Sequence, residues 1–463
     1  MDRDAIDGFA AALRGPLLQP DDPGYDEACA LHNGMIRKRP RLIARCADVA
    51  DVIAAVEFGR THGLDTAVRG GGHNGPGLAL VDDGLVIDLS LMKGIRVDPE
   101  ARTARVEPGC TWGDVDHAAH AFGLATVSGI ISTTGVGGLT LGGGHGYLTR
   151  KYGLTMDNLL SADVVTADGR LVHASEDEHP DLFWALRGGG GNFGVVTSFE
   201  YRMHPVDKVI GGPMFWPIEE LESTMRWYRE WLPQAPEDVY AFFLTAEVPP
   251  GPPFPEEVHG RKVCGLLWCC LNSEEEAEAA MQEAREVAEP IFEFTGPMPY
   301  PMLQSLFDGL YPPGDQWYWK GTFLGDLSDE AIQAHLRFAE VPTTKSTMHL
   351  YPVDGAVHRV GSDETAWAHR DATWSMVIAG VDPDPANAET ITRWARDYWD
   401  AIHPHSKKAA YVNFMMEEGQ DRIQATYGGN YERLREVKAK YDPDNFFHVN
   451  QNIEPATTAA SRA

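Results

Sequence analysis

Along residues 1–205 the apolar positions change period every few residues, which predicts short strands and helices joined by tight turns. Val49, Val52, Ile53 and Val56 recur at helical spacing behind Asp48, so a helix begins near Asp48, after an extended PRLIARC segment. DTAVR (65–69), LVIDLS (85–90), GIRVD (94–98) and TARVEPG (103–109) read as strands, and Thr111 to about Phe122 as a helix. ADVVTADGRLVHA (162–174) is a hairpin turning at Asp168-Gly169, and a helix follows over 180–186. The acidic start, MDRDAIDGFAAALRG, reads as a short amphipathic helix. Glycine-dense stretches interrupt this pattern three times: RGGGHNGPG (69–77), residues 129–146, and GGGGNFG (188–194).

From residue 206 the pattern changes. Charged helical runs at 217–232, 273–289, 328–341 and 386–402 alternate with strands in YAFFLTAEV, KVCGLLWCCL, 346–351 and 373–380. That alternation predicts a sheet covered by helices, punctuated by proline-rich loops around Pro249–Pro255 and Pro297–Pro301. The tail after Tyr411 has no partner in its own neighbourhood and is expected to return to the N-terminal half. The last eight or so residues are expected to be disordered. The fold class is therefore α+β, in three parts: 1–205, 206–410 and 411–463.

Composition narrows the function. With 43% apolar and 10% aromatic residues the chain can bury a substantial core. A formal charge of −29 repels phosphate backbones and anionic lipid, so neither nucleic acid nor a membrane surface is an expected partner. No apolar run approaches the ~18–20 residues of a membrane span, and no basic stretch followed by an apolar one marks a signal peptide. Six cysteines without metal-type spacing fit a reduced, cytoplasmic protein. The pairs His117/His120 and His403/His405 lack a third ligand at suitable spacing, so no metal is expected.

Glycines in clusters let backbone N–H groups close around a pyrophosphate, because no Cβ intervenes. Gly70/Gly72/Gly75 and Gly189/Gly191/Gly194 match the G-x-G-x-x-G spacing of dinucleotide-binding folds. A site of that kind needs a helix directly after the turn. Here Pro76-Gly77 and a strand follow the first cluster, and VVTSFEY, also strand-like, follows the second. What remains is a nucleotide cofactor gripped by turns between strands.

On these residues the chain resembles a known family. Arg69-Gly70-Gly71-Gly72-His73-Asn74 is similar to the flavin-attachment motif of the berberine bridge enzyme-like oxidases, within the vanillyl-alcohol-oxidase (PCMH-type FAD-binding) superfamily. SGIISTTGVGGLTLGGGHGYLTRKYG (128–153) resembles their second FAD loop, and LFWALRGGGGNFGVVTSFEYRMHP (182–205) their third FAD segment. YVNF (411–414) and NYERLREVKAKYDPDNFFHVNQNI (430–453) resemble their closing signature. The likeness is strongest over 40–205 and 411–453 and weak between them.

The resemblance implies an FAD-binding domain at 1–205 built of two α/β subdomains, a substrate domain at 206–410 and a C-terminal segment at 411–463. It implies FAD bonded through its 8α-methyl carbon to His73. FAD contacts are expected at Arg69, Gly70, Gly71, Gly72 and Asn74, and at Gly129, Thr133, Thr134, Gly135 and Gly138. Further contacts are expected at Gly143, Gly144, His145, Gly146, Gly194, Val195, Val196, Tyr411 and Asn413. Many members add a cysteinyl tether four residues before the Gly-Val-Gly-Gly run. Ile131 stands there, so a single covalent bond is implied. Thr134 aligns with the position that gates O₂, and its small side chain leaves room for oxygen.

The same kinship implies a small-molecule substrate whose hydride passes to FAD and then to O₂, giving hydrogen peroxide. Two other outcomes are compatible with the fold: an oxygenase or cyclase of natural-product biosynthesis, and a flavin-binding protein without catalysis. Several relatives use the second tyrosine of Tyr-x-Asn-Tyr as base; here Phe414 replaces it in Tyr411-Val412-Asn413-Phe414. Tyr351 is then the first candidate base, sharing a strand face with His349 in STMHLYP. His145 and Glu417 or Glu418 follow. The cluster Trp317-Tyr318-Trp319 is a candidate wall of the substrate pocket.

Overall fold

The structure is a computed structural model describing residues 2–457. Most of the tail expected to be disordered lies outside the described residues. The N-terminal half forms where the sequence punctuation places it. Asp48 caps the helix Val49–His62 by accepting from the N–H groups of Ala50 and Asp51, and Gly63 closes it with a φ of 59°. Thr111 and Asp114 form a capping box at the start of the helix Trp112–His120.

These elements build two sheets. The strands Leu42–Arg45, Leu85–Asp88 and Thr66–Arg69 run parallel, with Leu17–Leu18 on the outer edge. The second sheet is antiparallel and runs Ile95–Asp98, Thr103–Val106, Val195–Arg202, Leu159–Val165, Leu171–Ser175. The hairpin predicted around Asp168-Gly169 joins its last two strands. Each glycine cluster ends in a turn or a strand, as its context required. The glycines do not prevent a helix that was not foreseen: within 129–146 the chain forms the short helix Val136–Gly142.

An eight-stranded antiparallel sheet draws on strands between Lys208 and Asp382. Side chains alternate along it and so divide between two surfaces. Met348, Leu350, Trp374, Met376 and Ile378 face the helices Leu221–Trp231, Glu274–Val287, Asp329–Arg337 and Ala388–Ile402. Fully burying one such Leu or Met contributes about 1.5–3 kcal/mol, so this apolar face sets the register. The residues between them, Thr347, His349, Tyr351, Ser375 and Val377, are thereby turned to the opposite surface. The strand Gln316–Leu324, missed in the pattern because its aromatic run was read only as a cluster, pairs with Trp374–Asp382 and places Trp319 opposite Ala379.

The tail returns as expected. The helix Tyr431–Tyr441 packs on Pro180–Leu186, and Lys438 is fully buried. Its ammonium donates to the carbonyls of Asn192 (2.7 Å) and Phe447 (2.9 Å) and pairs with Asp442 (2.6 Å). Removing one partner of a buried pair strands the other charge. Lys438→Ala should therefore cost about 3–5 kcal/mol, read as a lowered denaturant midpoint with an unchanged slope. A midpoint within experimental error of the parent would show that this clasp is dispensable.

Candidate active site

The three glycine clusters, the inner surface of the large sheet and the returning tail enclose one cleft. Its cavity volume is about 340 Å³, within the ~300–1,000 Å³ of a small-molecule site.

The first two glycine loops meet at Gly71 and Gly135. A Cβ on Gly71 would lie 2.5 Å from the Gly135 Cα, so both positions must be bare for the backbones to touch. Gly138 and Gly191 have nothing within 4 Å of a hypothetical Cβ and line the cleft, so a side chain there would occupy it. This is a cradle of main-chain groups suited to a pyrophosphate. Gly75 serves differently. A Cβ there would meet the Trp319 indole at 2.4 Å, so its absence lets the indole lie against the loop.

His73 sits in mid-turn, after Gly72 at a φ of 71°, and faces the cleft. Its Nε2 is hydrogen-bonded to the Thr133 hydroxyl at 3.1 Å, and the His32 ring stacks on it at 4.0 Å with an interplanar angle of 16°. Burial pushes the His73 imidazole well below its ordinary range, and the neighbouring His32 adds to this, so the ring is neutral. His32 is likewise lowered by burial, to about 4. The Thr133 loop is held from the other half of the molecule. Asp308 accepts from the Ser132 N–H at 3.1 Å and from its hydroxyl, and the Gln304 amide donates to the Ser128 hydroxyl.

The opposite wall comes from the large sheet. His349 and Tyr351 both line the cleft, joined by a 2.5 Å hydrogen bond between Nδ1 and the phenol oxygen. Burial drives His349 down to about 3 and Tyr351 well up, so both are neutral at rest. Across the pair, Tyr351 stands opposite Ser375, whose hydroxyl bonds His145 Nε2 at 3.0 Å. His145 is also lowered by burial, to about 3. Trp317 and Trp319 line the same cavity, while Tyr318 between them turns to the helices and bonds Arg396. Phe414 fills the space beside His145, Tyr351 and Trp319.

The tail completes the floor. The Tyr411 hydroxyl accepts from the Gly144 N–H (3.1 Å) and the Asn413 amide (2.8 Å), and Asn413 also donates to the Gly138 carbonyl (3.0 Å).

Most residues expected at a cofactor do line the cleft: Gly70, Gly71, Gly72, His73, Asn74, Gly129, Thr134, Gly135, Gly138, His145, Gly194, Val195, Val196, Tyr411 and Asn413. Ile131 lines it too. Arg69 does not; its guanidinium turns outward to cap the chain at the carbonyls of Ala28 and Ala30 (2.8 Å to the latter). Thr133 acts behind the wall, through His73. Gly143, Gly144 and Gly146 form the turn beneath, packed on Trp367, Thr155 and the Ser128 carbonyl. Glu417 is exposed, and Glu418 is tied to Lys320 (2.7 Å) and Arg422 (3.5 Å), so neither carboxylate reaches the cleft. His32 and Tyr311 line it without any signal in the local sequence, because only the tertiary fold brings them there.

Comparison with known proteins agrees with this arrangement. Residues 40–175 match the family described as FAD binding domain, and residues 410–454 the one described as berberine and berberine like. An FAD-linked oxidoreductase of Dictyostelium discoideum is 32% identical over 97% of both chains. The (R)-6-hydroxynicotine oxidase of Paenarthrobacter nicotinovorans is 31% identical, over 96% of this chain and 97% of that one. Among solved structures, 6-hydroxy-D-nicotine oxidase from Arthrobacter nicotinovorans superimposes with a TM-score of 0.86 at 28% identity, covering 96% of this chain and 98% of the other. The xylooligosaccharide oxidase of Myceliophthora thermophila, solved with xylobiose, does so with a TM-score of 0.84 at 25% identity, covering 98% of this chain and 100% of that one.

Proposed function

The chain belongs to the FAD-linked oxidoreductases with a berberine-like C-terminal segment, and from that premise we propose that it carries its FAD on His73 and oxidises a small organic molecule at the cleft. It is an FAD-dependent oxidoreductase of the oxidase type. The observation that carries the covalent reading is the neutral imidazole of His73, held on a glycine turn and backed by His32 and Thr133. A neutral ring nitrogen is the nucleophilic form, so the site suits attachment at physiological pH. Ile131 is an alkyl side chain and supports one tether only.

The glycines of the three loops, with Asn74, Tyr411 and Asn413 shaping them, hold the cofactor. When bound, FAD supplies the two-electron acceptor that no side chain of this protein can provide. O₂ is the proposed final acceptor, Thr134 leaving space for it on the cleft wall. Tyr351 is the proposed proton acceptor, with His349 behind it and His145 beside it. Residues 1–205 and 411–463 are read as the cofactor half and 206–410 as the substrate half.

A cytoplasmic location fits six free cysteines, five of them buried. Among the described residues no helix is long and apolar enough to cross a membrane. The test of oxidase function is stoichiometry in air. One hydrogen peroxide should appear per substrate consumed, with no oxygen atom from O₂ in the product. Incorporation of labelled oxygen would replace this reading with an oxygenase.

A further inference from the structure

The loop that carries Thr133 is gripped by two separate elements. One is the helix Trp112–His120, whose first backbone N–H groups have no partner within the helix. Its Trp112 N–H donates to the Thr134 carbonyl at 2.9 Å, and its Gly113 N–H to the Ser132 carbonyl at 2.7 Å. The other is the segment 300–308 of the substrate half. Asp308 spends both carboxylate oxygens on one residue: one accepts from the Ser132 N–H at 3.1 Å, the other from the Ser132 hydroxyl. Four residues earlier, the Gln304 amide donates to the Ser128 hydroxyl and, at 3.3 Å, to the carboxyl of Asp116 on that same helix. Thr133 thus lies between two residues whose backbone groups are held, and its hydroxyl meets His73 Nε2 at 3.1 Å.

We propose that Asp308 is a positioning residue for flavin attachment, fixing Ser132 so that the Thr133 hydroxyl keeps the His73 imidazole in its bonding orientation. The proposal rests on the reading of His73 as the attachment site. Gly129 and Gly135 flank the loop, and glycine leaves a backbone its widest freedom, so the placement of Thr133 depends on such external holds. A hydrogen bond to a carboxylate is roughly twice as strong as one between neutral groups, which suits Asp308 to this task. Ser132 is the direct neighbour of Thr133, so any shift of its backbone passes straight to the hydroxyl on His73.

Attachment requires that orientation. It exchanges one C–H bond of the 8α-methyl group and the N–H bond of the neutral imidazole for one C–N bond. The two protons and two electrons released are taken up by the ring system and passed to O₂ as hydrogen peroxide. Bond formation of this kind is steeply sensitive to misplacement of the reacting groups. Because Asp308 belongs to the substrate half, attachment waits until that half has docked on the cofactor half.

The test follows attachment in time. Full-length protein produced with limiting riboflavin is given excess FAD in air and quenched in acid, and its chain-bound fluorescence is read. Asp308→Ala should attach flavin about tenfold or more slowly than the parent. Asp308→Asn, whose amide oxygen still accepts, should recover much of the rate. Adding Asp308→Ala to Thr133→Val should slow attachment no further than Thr133→Val alone, because both act through one contact. In a His73→Ala background, which separates binding from attachment, Asp308→Ala should change the Kd for FAD by less than about twofold. If Asp308→Ala fails to fold, Ser132→Ala, which removes only the hydroxyl bond, should slow attachment about threefold or more, and an unchanged rate there overturns the proposal. Attachment by Asp308→Ala at the parental rate, additive losses in the double variant, or FAD affinity lost in proportion to the rate would overturn it equally. A parent chain that never acquires bound flavin would instead overturn the reading of His73 beneath it.

Discussion

Tyr351→Phe should lower kcat by about two to four orders of magnitude while leaving the protein folded and its flavin attached. That is the usual worth of a positioned proton acceptor. The substitution removes one oxygen atom from a strand whose register is set by Met348 and Leu350 on the other surface, so the sheet is not at risk. The pH profile separates a chemical role from a packing one. His349, the group behind the phenol, is held by burial at about 3. Its folded value lies below the ordinary 6.5, so it becomes protonated, and unable to accept, only as the pH falls toward 3. The kcat/KM of the parent should therefore stay level from about pH 8 down to about pH 5, without the fall near 6.5 of an ordinary histidine. A fall centred near 6.5, or full activity in Tyr351→Phe, would remove the pair from the mechanism.

His73→Ala should leave no flavin on the denatured chain. The cleft itself persists, because its walls are built by Gly71 against Gly135 and by the returning tail. The variant should thus still take up FAD reversibly. Turnover with excess FAD should drop by about ten- to a hundredfold, the range expected when a reacting group is less well positioned. The midpoint potential should also fall, because an electron-withdrawing ring substituent has been lost. Acid-stable flavin in this variant would place the attachment elsewhere.

The sequence made the cofactor half legible for a physical reason. Glycines at Gly71 and Gly135 are demanded by close approach of the backbone, and such positions admit little substitution, so the local pattern carries the site. The helix starts at Asp48 and Thr111 were legible through their caps. What was not legible depends on distant chain crossing. His32 reaches His73 only because its backbone N–H bonds the Gly72 carbonyl at 3.1 Å, a contact with no local signature.

Arg69 is a different case. The residue belongs to the motif, yet its guanidinium donates to the carbonyls at the end of the helix Tyr25–Cys29 and does not line the cleft. Strand alternation correctly grouped His349 with Tyr351. It also explains why the Trp317-Tyr318-Trp319 cluster splits, with the middle ring facing the helices. Glu417 and Glu418 were plausible from proximity to Asn413 alone. A turn carries one to solvent and the other into an ion pair with Lys320.

The attachment of flavin to His73 is tested most directly by peptide mass mapping of the purified, acid-denatured protein. The account predicts that the one peptide containing His73 carries the mass of FAD and fluoresces, and that the peptide containing Ile131 carries none. An unmodified His73 peptide from protein produced with ample riboflavin, with all the yellow colour in the supernatant, would contradict it.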